Sequence, residues 1–118
     1  VRKQLNKRYI AGKKFEYEVK EHYEKEGYYV ARAAGSKGIA DLVAIPNREN
    51  YFLPELALLI QCKKTSYKKL SKREIREFLE TASKYKAIPI LATKEGKRTV
   101  FFEGEDALRN FLLGDKRK

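Results

Sequence analysis

The chain predicts an α/β fold, a mixed five-stranded sheet flanked by helices in the order α-β-β-β-α-β-β-α. Three observations carry that expectation. Apolar residues recur at helical spacing over residues 9–26 and again beyond Ser71. Two nearly continuous apolar runs, Leu42 to Ile45 and Ala57 to Cys62, have the character of central strands covered on both faces. With 118 residues, one domain can bury a core without disulfide or metal staples.

The first helix is expected from about Tyr9 to Glu26, with Gly27 as its C-terminal stop. On it Gly12, Phe15, Glu16, Val19 and Tyr23 fall three and four apart, so Glu16 shares the apolar stripe or lies at its margin and reaches water. Tyr28 to Ala33 alternates as a first strand. The following Ala34-Gly-Ser-Lys-Gly38 supplies two glycines, a hydroxyl and a cation, which admit a phosphate to backbone N–H groups and equally describe a plain turn. Between the two apolar runs, Pro46 to Asn50 is turn-like, and Tyr51 to Leu56 is an apolar loop broken by Pro54 that packs on the fold or meets another subunit.

Lys64 to Lys69 has the cations and the aromatic of a loop that follows a nucleic-acid backbone, or of a solvated linker. Ser71-Lys-Arg-Glu74 forms a capping box for a second helix, which turns Ile75, Phe78, Leu79 and Ala82 inward and ends near Lys86. Ala87 to Thr93 and Thr99 to Glu103 are expected as strands about a turn at Glu95-Gly-Lys97. A last helix is expected from about Glu105 to Leu113. Residues 1–8 have the composition of a basic arm and 114–118 that of a basic tail, flanking a single domain over 9–113.

Twenty-seven Lys and Arg against 16 Asp and Glu leave a formal charge of +11, an excess suited to a polyanion and to nucleic acid first. No apolar run approaches the ~20 residues of a membrane-spanning helix. The first residues lack the apolar centre of a secretory signal, and the absence of an initiator Met implies processing or trimming. The single cysteine, Cys62, forms no internal disulfide and is expected to pack in the core of a cytoplasmic protein. A Cys/His metal site is excluded by the single histidine, His22, which is expected to be a partly buried surface residue.

Asp41 opens one central run, and Gln61 and Lys63 close the other. An antiparallel hairpin folded about 47–56 sets Asp41 against the 61–63 end, with Gln61 and Lys63 on one face. A carboxylate, an amide oxygen and an ammonium then converge at one end of a sheet, the arrangement that holds a divalent cation beside a scissile phosphate. Polar residues at strand ends that merely meet solvent account for the same pattern.

Taken together, Gly12 with Glu16, Arg32 with Ala34-Gly35-Ser36, Asp41-Leu-Val-Ala44, Gln61-Cys-Lys63 and Ile88-Pro-Ile-Leu-Ala92 resemble the archaeal Holliday junction resolvases, in order and at nearly the family spacing from about Gly12 to Phe102. The resemblance implies a restriction-endonuclease-like fold of the PD-(D/E)XK superfamily. It also implies a homodimer that resolves four-way DNA junctions by paired nicks in a Mg2+-dependent hydrolysis, with Mn2+ an alternative ion, in an archaeal cell or an infected archaeal host. By the same resemblance Glu16, Asp41 and Gln61 hold the metal, and Lys63 orients the attacking water and stabilises developing charge. Arg32 and Ser36 lie near the scissile phosphate, and the basic loops add Lys37, Lys64, Lys68 and Lys69 as DNA contacts. Tyr51 to Leu53 and the last helix are candidate dimer contacts.

Two departures from the family pattern stand out. Ala40 replaces the usual Pro before the Asp, and Gln61 replaces the usual Glu of the E-X-K element. Glu55 does not substitute for it, since six residues of strand put it about 20 Å away. An element like Ile60-Gln-Cys-Lys63 is found in nucleases resembling the Mrr restriction group. The alternatives are a nuclease of the same fold acting on other DNA, and a DNA-binding protein impaired by Gln61.

Overall fold

The computed structural model describes residues 2–33, 40–65 and 71–109. Its elements are helix α1 (Arg2–Glu26), strands β1 (Tyr28–Arg32), β2 (Leu42–Pro46) and β3 (Leu58–Thr65), helix α2 (Lys72–Lys84), and strands β4 (Ile88–Glu95) and β5 (Arg98–Glu103). Residues 105–109 add a helical turn, the described part of the expected last helix. The five strands form one sheet in the order β1-β2-β3-β4-β5. Neighbours are antiparallel except β3 and β4, which run parallel. A parallel pair needs a crossover, and α2 supplies it.

The first two expected helices form, and α1 is longer than expected. It begins at Arg2 rather than near Tyr9, so the backbone of the stretch read as a basic arm is helix. The 2–8 segment lacks Gly and Pro and ends on Arg8, so nothing in it breaks a helix once the next turns are anchored. Phe15, Val19 and Tyr23, four residues apart, are almost fully buried and press this helix onto the sheet. At the other end Gly27 adopts φ +106°, a conformation that L side chains rarely adopt, and a Cβ there would lie 3.2 Å from Leu53 Cδ1. Helix α2 starts on the expected capping box, with Ser71 and Glu74 bonding reciprocally, and buries Ile75, Phe78, Leu79 and Ala82.

Two apolar layers enclose the sheet. On the α1 side Val30, Leu42, Ala44, Leu58, Ile60, Ile90 and Ala92 pack beneath Phe15, Val19 and Tyr23. On the other side Leu91, Leu59 and Phe102 pack with Ile75, Phe78, Leu79 and Leu108. Alternate residues of β3 therefore serve opposite cores, which is why its sequence is apolar without a two-residue rhythm. Cys62 packs against the α1-side core as expected. In the β2–β3 connection Leu53 reaches that core, whereas Tyr51 and Phe52 stay exposed. His22 is half-buried, stacking on Phe101 with ring centroids 4.4 Å apart.

Candidate active site

The strand order brings the end of β1, the start of β2 and the far half of β3 together. Regular pairing of β2 with β3 runs from Ala44↔Leu58 to Leu42↔Ile60 and stops there, because Asp41 bends out of line. The backbone of Asp41 stays held on both sides: its N–H donates to the Ile60 carbonyl at 2.8 Å, and its carbonyl accepts from Ala33 N–H at 2.9 Å. Its carboxylate then takes the place of a ladder carbonyl, Oδ2 accepting from the Cys62 N–H at 2.8 Å. Asp41 is thereby fixed against the residue between Gln61 and Lys63, as the hairpin reading expects.

Strand β3 continues through this point to Thr65. Lys64, expected in a loop, is therefore on the strand, at the irregularity where the β3–β4 register shifts between Lys63 and Thr65, and it lines a cleft on the α1 side with Lys14, Phe15 and Lys94. The parallel partner β4 explains the extension: its residues pair with β3 as far as Thr65, so the strand outlasts its apolar run. The ammonium of Lys63 acts on the Glu74 carboxyl, which the Ser71 backbone and side chain hold below the usual carboxylate range with help from Lys63. Alternation from Leu59, which packs on the α2-side core, likewise turns Lys63 to the α2 side of the sheet.

Glu16 belongs to the α1 side. It neither floats at the stripe margin nor sinks into the core. Its Oε1 accepts from Arg32 Nη2 at 2.9 Å and Nε at 3.1 Å, with both side chains about four-fifths covered, 18% and 23% exposed for Arg32 and Glu16. This bond raises the Arg32 guanidinium further above its already high range, and the guanidinium also lies 4.8 Å from the Tyr17 ring centroid. Burial pushes the Cys62 thiol up, and the charges of Asp41 and then Glu16 push it further. A buried, uncharged thiol packed on the α1-side core is not a nucleophile.

Asp41 is thus fixed at the end of the sheet beside Cys62, with the Glu16–Arg32 pair on the α1 side and, by strand alternation, Gln61 and Lys63 on the α2 side. Of the other expected DNA contacts, Lys64 lies on β3, while Ser36, Lys37, Lys68 and Lys69 fall outside the described residues. The candidate metal donors are all oxygen, two carboxylates and one amide, which fits a hard divalent cation and not a thiophilic one. Among the described residues no three His, Cys, Asp or Glu side chains gather as a metal cluster. Sequence reasoning missed the Glu16–Arg32 pair and the Cys62 N–H anchor. The first carries a weak signal, two half-apolar positions of opposite charge; the second, a backbone donor, carries none.

A sequence model described as the archaeal Holliday junction resolvase (hjc) matches residues 7–111. The chain belongs to that family. Within it, this resolvase-family chain is 34% identical over 117 residues to the crossover junction endodeoxyribonuclease Hjc of Methanocaldococcus jannaschii, spanning 97% of itself and 77% of that relative. Its fold is similar to that of Hjc from Archaeoglobus fulgidus, a Holliday junction resolvase from an archaeal hyperthermophile. That match has a TM-score of 0.59 at 23% identity and covers 80% of this chain and 71% of the other, a likeness of fold. The resolvase family is the one expected from the motif residues, and its mixed sheet is the one found.

Proposed function

We propose that this protein is a structure-specific endonuclease that hydrolyses phosphodiester bonds of four-way DNA junctions with a divalent ion, Mg2+ or Mn2+. The observation that carries the reading is the Asp41 carboxylate bonded to the Cys62 N–H, which sets an anionic oxygen between Gln61 and Lys63 at the end of the sheet. Asp41, Glu16 and the amide oxygen of Gln61 are the proposed ligands. When bound, the ion supplies Lewis-acid stabilisation of the phosphoryl oxygens and lowers the pKa of a water.

The protein's own groups do the rest. Asp41 is pinned by three backbone bonds, so its charge is positioned before substrate arrives and no reorganisation is needed at reaction. Lys63 orients a water for in-line attack and offsets the charge that develops on phosphorus oxygens. Arg32 is preorganised by Glu16 and the Tyr17 ring to meet a non-bridging phosphate oxygen, a planar fork suited to that acceptor. A junction has two equivalent phosphates about a dyad and each chain has one such site, so paired nicks require a homodimer. The exposed aromatics Tyr51 and Phe52 and the last helix are its proposed contacts.

Gln61 favours one second reading, a junction-binding protein with reduced catalysis. The deciding experiment compares the wild-type chain with Asp41→Asn on a labelled four-way junction and on linear duplex in Mg2+. Cutting of the junction by the wild type, and a drop of at least about 100-fold in Asp41→Asn with junction binding retained, is the expected result. Binding without any cutting by the wild type would leave only the second reading.

A further inference from the structure

On the flank of α1 away from Glu16 lies a cleft of about 250 Å3, bounded by Ala11, Lys14, Phe15 and Glu18 of the helix, Lys64 of β3, and Lys94, Gly96 and Lys97 of β4 and the turn to β5. Helical spacing separates the two flanks. Ala11, Lys14 and Glu18 lie on one side of the buried Phe15, and Gly12 and Glu16 on the other, roughly a helix width of ~10 Å apart. Lys94 is fixed: its Nζ is 3.3 Å from Glu18 Oε1 and 3.4 Å from the Lys97 carbonyl, and it lies 5.7 Å from the Phe15 ring centroid. Glu18 thus neutralises Lys94, and the carbonyl bond holds the turn in place. Among the described residues no carboxylate pairs with Lys14, Lys64 or Lys97.

Three ammonium groups facing one cleft repel each other, and the one carboxylate lining it, Glu18, is paired with Lys94. Fold stability alone disfavours such a cluster, whereas a polyanion reverses the sign of its energy. The cleft also has bare walls, since Ala11 and Gly96 keep side chains out of the way of a close backbone.

We propose that this cleft binds phosphates of a DNA arm adjoining the cut site, so that a strand crossing α1 near Ala11 is held on both flanks of the helix. The proposal rests on the reading of the substrate as DNA. It assigns Lys14 and Lys97 as contacts and Lys94 as the residue that positions them, beyond the loop lysines marked by the sequence.

The test is a junction-binding titration, without divalent metal, across a series of salt concentrations. It uses the full chain, Lys14→Gln/Lys97→Gln, and the control Lys25→Gln/Lys84→Gln, which removes equal charge from exposed positions at the far ends of α1 and α2. The expected result is about a tenfold loss of affinity for the first variant, with the slope of log affinity against log salt reduced by about one to two, and neither change in the control. All four positions are exposed, so unchanged thermal midpoints are expected. The proposal is overturned if the first variant keeps the wild-type affinity and slope, or if the control loses as much, which would make the charge diffuse. A wild-type chain that binds duplex as tightly as junction, while the first variant still loses affinity, would sink the junction reading and leave the cleft standing.

Discussion

Asp41 shows how one side chain can hold a position that no local pattern specifies. Its carboxylate replaces a missing strand acceptor, so the same bond that closes the β2–β3 ladder aims the charge. Gln61, immediately before that anchor, is where the chemistry departs from the family pattern. An amide oxygen keeps a metal lone pair and gives up a full charge, and a unit charge a few ångströms from a cation is worth more than ~1.4 kcal/mol at the effective dielectric of a protein surface. Gln61→Glu is therefore expected to lower the magnesium concentration for half-maximal junction cutting at least about tenfold, read by titrating cleavage rate against metal. A midpoint that does not move would remove Gln61 from the ligand set. Glu16 tells the complementary story: helical spacing puts it beside the apolar stripe, but only the arrival of Arg32 from β1 gives it a partner.

At the scale of elements, α2 is the most fully explained. Its start is written in four residues, Ser71 to Glu74, and its buried face in four more. Replacing Ser71 by Ala removes the acceptor for the Glu74 N–H and is expected to cost about 1 kcal/mol. The effect carries a pH signature. Glu74 is held below its ordinary value of 4.5 in the folded chain, so its contribution is present above the unfolded pKa and is lost as pH falls through the lower folded value. The stability gap between Ser71→Ala and wild type should narrow as pH is taken below about 4.5, measured by chemical denaturation at each pH. A gap that stays constant through this range would show that the carboxylate plays no part in the cap. Strand β3 is the opposite case: its apolar run ends at Cys62, yet hydrogen bonding to β4 carries it to Thr65 and moves Lys64 from loop to sheet.

For the whole molecule, the sheet is a shared wall between two cores, and the middle strands bear most of it. Ile60 has no exposed surface, lies directly opposite Leu42 and Ile90, and belongs to the layer that holds α1 in place. Ile60→Ala is expected to cost ~2–5 kcal/mol, a fall of roughly 10 °C or more in Tm for a domain of this size. Because that layer also sets the height of α1 over the sheet, the loss should reach Glu16 and its pairing with Arg32. A thermal scan showing a drop of only a degree or two would mean that the core relaxes around the cavity. No described helix is long and apolar enough to cross a membrane, and the formal charge of +11 suits a polyanionic partner.

The sequence by itself determined the class of fold, the seven main elements, the inward faces of both helices and the residues around which a site could form. Those features follow from periodicity, capping and apolar runs, which are local and survive without neighbours. The neighbourhood of Asp41, Glu16 and Lys63 was legible only in part, because strand pairing can be inferred from a hairpin whereas its bend at Asp41 cannot. Tertiary structure decided the rest. It put Glu16 and Lys63 on opposite sides of one sheet, paired Glu16 with Arg32, and gathered Lys14, Lys64 and Lys97 from three separate stretches into a single cleft. Charges far apart along the chain carry no signal of their distance in space. That distance is set by the order in which the strands are laid side by side.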